Sequence, residues 1–305
     1  MDVLTEICAA LRLKASLYFR AELHGPFAIR LPQERHHIRF HCLLEGDCLV
    51  TVPGAPPERL EKGDLTLVPD GTAQTLSSVV DAGPLVDLAD VLAANPPRDG
   101  VLAAGSGSPR TSILCGFLAF DELLRHPVFA GLPAVMVLKS GAPPFAAALR
   151  LLGEEAALSG PGATMALHKI VEILLMQALR DAAGAGGDSR GFVAALRDAR
   201  LGRGLVAIHA EPHRPWTIDT LSGLAGMSRS SFSDRFTTKV GMSPHAYLTR
   251  WRMIRAREML AEAELDMTAI AERCGYGSVP AFTRRFKETF GMAPGAWRRQ
   301  AIAGT

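Results

Sequence analysis

At 305 residues and 48% hydrophobic content, the chain is long enough for two domains with cores of their own and too apolar to be disordered. No apolar run approaches the roughly 18–20 residues of a membrane helix, and Met1-Asp2-Val3-Leu4-Thr5-Glu6 lacks the basic start of a secretory signal. A cytoplasmic protein with no membrane partner is therefore expected. The formal net charge of +2 hides an asymmetry: from Gly191 onward there are 17 Lys and Arg against 10 Asp and Glu, hence +7, which leaves −5 for the rest. A basic segment appended to an acidic one points to a polyanion partner for that segment alone.

Residues 1–140 read as β-rich. Ile38–Leu44 is a strand, Glu45-Gly46-Asp47 a turn, and Cys48–Val52 the returning strand. Lys62-Gly63-Asp64 leads into a third, Leu65–Pro69. Short apolar runs with Gly and Pro punctuation suggest a sandwich or a barrel, and periodicity leaves the two open. Residues 141–190 read as helical, with Phe145–Leu158 broken by Ser159-Gly160-Pro161-Gly162 and followed by Met165–Ala183. Leu167, Ile170, Val171, Leu174, Leu175 and Ala178 recur at helical spacing, as a core stripe or a dimer-forming face. Ala185-Gly186-Gly187-Asp188-Ser189 reads as a linker; this glycine-rich stretch lacks the lysine of a nucleotide loop.

Residues 191–305 are helical and contain a repeat. Ser228/Ser278, Phe232/Phe282, Phe236/Phe286, Gly241/Gly291, Met242/Met292 and Pro244/Pro294 match at a spacing of 50. Each copy offers a short helix, a Gly turn at Gly226 or Gly275, a serine N-cap and a second helix. The phenylalanines sit at i and i+4, so each pair lies on one face and leaves the other free. That free face presents Arg229, Ser230 and Ser233 in the first copy and Val279, Pro280, Thr283 and Arg284 in the second. Short polar and Arg side chains on an exposed helix suit the DNA major groove. Two units, about residues 217–238 and 267–288, thus read as helix-turn-helix motifs. A helical solenoid is the rival reading, but two copies are too few. The helix between them, Pro244–Ala263, carries Arg250, Arg252, Arg255 and Arg257, some of which are expected to meet phosphate.

The pattern Ala271, Cys274-Gly275-Tyr276-Gly277-Ser278, Phe282-Thr283-Arg284-Arg285-Phe286-Lys287, Gly291, Pro294, Trp297-Arg298 resembles the AraC/XylS family of bacterial transcription regulators over about Arg203–Arg299. The resemblance implies base-reading roles at Ser230, Ser233 and Asp234, and at Val279, Pro280, Thr283 and Arg284. It departs from the family at Asp234, where arginine is common, and at Val279-Pro280, which replace longer polar residues. Arg284 is then the main candidate for a specific base contact, while Arg229, Arg235, Arg285 and Lys287 suit phosphate. Residues His41–Gly46, Leu60–Leu65 and Pro69–Gln74 resemble the cupin sensor domain that precedes this unit in many such regulators.

A cupin enzyme would hold a metal with several histidines and a carboxylate. His36, His37 and His41 cluster here, but Gln74 stands where these cupins place a later histidine, so no metal, no catalytic residue and no cofactor is expected. Five cysteines form no CxxC pair, against structural zinc or a disulfide framework. Three of them, Cys42, Cys48 and Cys115, are candidates for redox sensing; a small organic effector is the competing signal.

The expected fold is α+β: an N-terminal cupin-like β-barrel, a double-stranded β-helix, followed by an all-α DNA-binding domain with two helix-turn-helix motifs. Residues 1–140 form the sensor, 141–190 a helical linker or dimerisation region, and 191–305 the DNA-binding domain. The expected function is a sequence-specific DNA-binding transcription regulator, an activator by the family's commoner habit. Its partners would be double-stranded DNA, RNA polymerase, an effector and a second copy of the chain. The alternative is a cupin-fold metal-dependent enzyme with a DNA-binding appendage.

Overall fold

The computed structural model describes residues 2–11, 13–34, 37–79, 82–108, 110–120, 126–129, 131–158, 161–184, 191–262 and 265–303. A helix, α1 (Val3–Leu11), precedes strands β1 (Lys14–His24), β2 (Ala28–Leu31), β3 (His37–Glu45), β4 (Cys48–Thr51), β5 (Glu58–Leu60), β6 (Leu65–Val68), β7 (Gln74–Ser77) and β8 (Leu85–Asp87). Then come α2 (Leu88–Ala94), β9 (Val101–Gly105), β10 (Arg110–Ala119), a 3-10 turn at Pro127–Phe129, and β11 (Met136–Leu138). Helices follow: α3 (Ala146–Ala156), α4 (Ala163–Gly184), α5 (Phe192–Arg197), α6 (Leu201–Ala210), α7 (Ile218–Ala225), α8 (Arg229–Val240), α9 (Pro244–Ala261), α10 (Met267–Arg273), α11 (Val279–Phe290) and α12 (Pro294–Ala303). The linker expected at Ala185–Ser189 lies outside the described residues, as do Ser159, Gly160 and His36.

The chain divides into two units. The sheet unit comprises Leu13–Phe120 and Leu132–Ala185. Its strands form two sheets, ordered β11-β6-β3-β10-β1-β9 and β5-β4-β7-β2-β8. One buried cluster draws Phe19, Ala21 and Leu23 of β1, Leu43 of β3 and Ile113 of β10 together with Ile29, Val50, Leu60 and Leu76 of the other sheet. The expected barrel is therefore seen as two open sheets sharing a core. The edge strands β5, β8 and β11 are three residues each and the remaining edge, β9, is five. Gly46 turns β3 into β4 at φ +84, where a Cβ would lie 2.7 Å from the Arg110 carbonyl oxygen.

β3 is buried on both faces: Ile38, Phe40 and Cys42 as well as His41 and Leu43 are fully enclosed. Helix α4 packs on β1 and on α3, outside the inter-sheet core. The α4 stripe predicted from periodicity, Leu167, Ile170, Val171, Leu174, Leu175 and Ala178, is buried, whereas Met165 and Ile173 are 61% and 52% exposed.

The helical unit comprises Met1–Arg12, Asp121–Gly131 and Gly186–Thr305, so the chain enters it three times. At its centre Phe192, Phe232, Phe236, Tyr247 and Trp251 are fully buried. Tyr247 stacks on Phe192 and meets Phe236 edge-on. A chain of hydrogen bonds threads this aromatic core. The Val128 N–H donates to His126 Nδ1 at 3.0 Å, so the other nitrogen, Nε2, carries the proton and donates to the Tyr247 hydroxyl at 3.0 Å. The hydroxyl then donates to His209 Nε2 at 2.6 Å, leaving His209 Nδ1–H to donate to the Glu6 carboxylate of α1 at 3.2 Å. Every buried polar atom in this run is satisfied with both imidazoles neutral. Burial holds His126 well below the usual histidine range and pushes His209 down to about 3, the Arg255 charge adding to the second effect.

Two outcomes follow for stability. Phe236→Ala should destabilise the helical unit by about 3–5 kcal/mol, against about 1 kcal/mol for the exposed cap change Ser278→Ala, measured by urea denaturation. All three tryptophans, Trp216, Trp251 and Trp297, lie in this unit, so intrinsic fluorescence reports on it alone. Both histidine shifts are downward, so their stabilisation is complete above the unfolded value of 6.5 and is lost as pH falls below it. Between pH 6.5 and 5.5 each should cost about 1 kcal/mol, and the slope steepens to about 1.4 kcal/mol per pH unit below that. His209→Gln should remove about half of that slope; an unchanged slope would mean that His209 is not held neutral.

Candidate nucleic-acid interface

Each half of the repeat begins with a capped short helix. Thr217 caps α7 in a reciprocal capping box with Thr220, and Asp266 caps α10 by accepting from Ala269 N–H at 2.7 Å. Both helices end the same way: Met227 N–H donates to Ser222 O and Tyr276 N–H to Ala271 O, closing a six-residue loop around a left-handed glycine. The turns then differ by one residue, because Gly277 is inserted before the second serine. Ser228 accepts from Ser231 N–H and Ser278 from Ala281 N–H, so α8 and α11 start on equivalent caps. Phe232, Phe236, Phe282 and Phe286 are all fully buried.

That seating decides what α8 turns outward. Arg229, Ser230, Asp234 and Arg235 are exposed, and Ser233 is half-buried at a small cavity beside Trp216 and Leu248. Two of the arginines are not free: Arg229 pairs with Asp219 of α7, and Arg235 reaches Asp198 Oδ2 at 2.6 Å. Asp198 also receives Lys239 at 3.4 Å and the Leu201 and Arg200 N–H groups at the start of α6. Burial would raise its carboxyl, but those N–H groups and the Arg235 charge outweigh that and hold it below the usual range. On α11, Val279 and Thr283 are half-buried while Pro280, Arg284, Arg285 and Lys287 are exposed. Arg285 pairs with Glu288 at 2.9 Å. Among the described residues Arg284 and Lys287 have no side-chain partner.

The arginines of α9 have work inside the unit. Arg252 donates to Pro212 O at 2.6 Å and to Arg214 O at 2.9 Å and lies over the Tyr276 ring. Gly275 makes room for it: a Cβ there would sit 2.6 Å from the guanidinium. Arg257 covers Trp297 at 4.0 Å, and Arg255 pairs with Glu258 at 2.5 Å. The acids that engage Arg229 and Arg235 carried no local signal, since Asp219 and Asp198 meet them only through tertiary packing.

In the sheet unit the candidate thiols Cys42, Cys48 and Cys115 are all buried. Burial pushes Cys42 and Cys48 up to about 12 and Cys115 higher still, which leaves little thiolate near neutrality. Cys115 lies 3.3 Å from His41 Nδ1, and burial pushes His41 down to about 3. His37 instead approaches Glu34 at 3.5 Å and meets Phe117 edge-on. Gln74 is buried and its side chain faces the His41 imidazole. Among the described residues no three His, Cys, Asp or Glu converge in a metal-holding group, and no helix is long and apolar enough to cross a membrane.

Comparison with known proteins agrees with this division. The cupin family model matches residues 2–184, and a helix-turn-helix domain model matches residues 221–300. A Streptomyces antibioticus protein named as an AraC-like transcription regulator is 30% identical over 99% of this chain and 100% of its own. The HTH-type transcriptional regulator AlkR of Acinetobacter baylyi is 27% identical over 99% of this chain and 100% of its own. The RCS-specific HTH-type transcriptional activator RclR of Escherichia coli is 26% identical over 86% of this chain and 84% of its own. With the cupin match covering more than half of its length and a 30% identical relative aligned along nearly all of it, the chain belongs to the AraC-type transcription regulators with an N-terminal cupin domain, and it is a DNA-binding regulator.

Proposed function

We propose that the chain reads an operator with two helix-turn-helix motifs, about residues 217–238 and 267–288, placing α8 and α11 in successive major grooves. The observation that carries this is the shared seating of α8 and α11. The same serine cap and phenylalanine pair bury one face of each helix and leave the other polar and open. In this reading Ser230, Ser233 and Asp234, then Val279, Pro280, Thr283 and Arg284, face base edges. Arg284 is the residue with donors to spare for guanine. Lys287 and Arg285 face phosphate, and Arg229 and Arg235 reach it only by leaving Asp219 and Asp198.

Residues 1–140 act as the sensor, built as a double-stranded β-helix, 141–190 relay or dimerise, and 191–305 bind DNA. Exposed Met165 and Ile173 on α4 support a homodimer contact. Activation through RNA polymerase is the mode of action, in keeping with a relative named as an activator. The deep burial of Cys42, Cys48 and Cys115 favours a small organic effector over an oxidant as the signal. The regulators among the relatives favour this reading over a metal-dependent enzyme.

Gel shifts of the full chain on its own upstream DNA and on scrambled DNA, across a salt series, test the interface. Arg284→Ala should weaken operator binding by about 1–3 kcal/mol and leave scrambled DNA unaffected. Equal loss on both sequences would remove Arg284 from base reading. Lys287→Ala should weaken both alike and lower the salt slope by about 1; an unchanged slope would take Lys287 off the phosphates.

A further inference from the structure

We infer that the sheet unit binds a small amphipathic carboxylate in the space between α3 and the outer face of its six-stranded sheet. The inference deepens the sensor reading proposed above and rests on it only for the regulatory consequence. A cavity of about 510 Å³ lies there, within the range that holds drug-sized ligands. Its apolar wall includes Leu44, Leu149, Ala146 and Ala157, and its polar end includes Arg20, Glu22, Arg110 and Ser112.

The helix is shaped to leave this space. Gly153 stands in the middle of α3 and lines the cavity. Glycine weakens a helix interior and is normally kept for positive φ or close approach. Neither applies at Gly153: its φ is not positive, and a Cβ built there would meet nothing within 4 Å. With Ala146 and Ala156 of α3 also lining the cavity, the helix offers small residues where helix-on-sheet packing ordinarily places large ones.

The charges at the polar end select the ligand. Every carboxylate lining the cavity is already engaged. Glu22 is buried, accepts from Ser112 at 2.8 Å and from Arg110 Nε at 2.9 Å, and ion-pairs with Arg20, whose Nε lies 3.0 Å away. Glu45 meets Arg110 at 3.3 Å, and Glu154 meets Arg150 at 4.0 Å. The cations have donors left over. Arg20 ion-pairs with Glu22 but its Nε makes no hydrogen bond among the described residues, and the Lys62 ammonium has no partner among them. An apolar lining that ends in spare cationic donors recognises an apolar body with an anionic head, and it gives no such reward to a cationic or a neutral one. A bound ligand would bridge α3 to β1 and β10. Because α3 packs on α4, occupancy would stiffen the helix pair from which the chain leaves the sheet unit.

Isothermal titration of the full chain with octanoate and 4-phenylbutyrate, each against its neutral amide, tests the site. At least one acid should bind saturably, at least tenfold tighter than its amide. The double change Arg20→Gln and Lys62→Gln should weaken it at least fivefold, and Gly153→Leu, which fills the space, should abolish it. Circular dichroism checks that each variant folds; where Gly153→Leu does not, Ala146→Phe replaces it. The site is overturned if neither acid binds, if the amide binds equally well, or if the filled variant binds like the parent chain. Gel shifts with and without the acid separate the two readings. Binding that leaves operator affinity unchanged upholds the site and counts against the sensor role; absence of binding sinks the site and leaves DNA recognition standing.

Discussion

The buried hydroxyl of Tyr247 sets a constraint that the helical unit is built around. A phenol enclosed by Phe192, Phe236 and Trp251 needs both a donor and an acceptor, and an unmet hydroxyl there would cost on the order of 1–3 kcal/mol. His126 and His209 supply the two, each locked in one tautomer by its other nitrogen. The ring, held at both sides, then fixes where Phe236 rests, and Phe236 fixes the roll of α8 about its axis. The exposed identity of Ser230 and Asp234 is thus a downstream result of a hydrogen-bond bookkeeping problem more deeply placed in the fold.

The second half of the repeat solves the same positioning problem with different means. Phe282, Phe286 and Phe290 pack in series, Trp297 of α12 follows, and Arg257 closes over that ring. The two recognition surfaces therefore differ in charge economy as well as in residues. On α8 the arginines Arg229 and Arg235 are matched by Asp219 and Asp198, while on α11 Arg284 and Lys287 stand unmatched among the described residues. The net attraction for a polyanion is concentrated in the second half.

Local features were readable from residues alone. Serine caps, left-handed glycines and phenylalanines four apart each report on a few neighbouring residues, and all of them are found where the repeat put them. The central strands β3, β4 and β6 were readable for the same reason. The short strands β5, β8 and β11 were not, because three residues hold no periodicity and depend on a partner already in place. The α9 arginines looked available for phosphate because composition cannot show that Arg252 spends its donors on Pro212 and Arg214, some 40 residues earlier. His126 gave no sign of its role in the helical core, since that role exists only once three distant stretches of chain have met. The space under α3 was equally silent, being a property of what Gly153 omits.

The three separate entries of the chain into the helical unit bear on how such proteins can evolve. Glu6 and His126 both lie within the stretch that matches the cupin family, yet they complete the core in which α8 is seated. A crossover between genes in the region of residues 185–190 would look like a clean exchange of a sensor for another sensor. It would in fact replace the acid and the imidazole that His209 and Tyr247 require, and a recombinant lacking equivalents would inherit unsatisfied polar atoms inside its DNA-binding half. A swap of this kind is expected to succeed only between parents that share this set of partners.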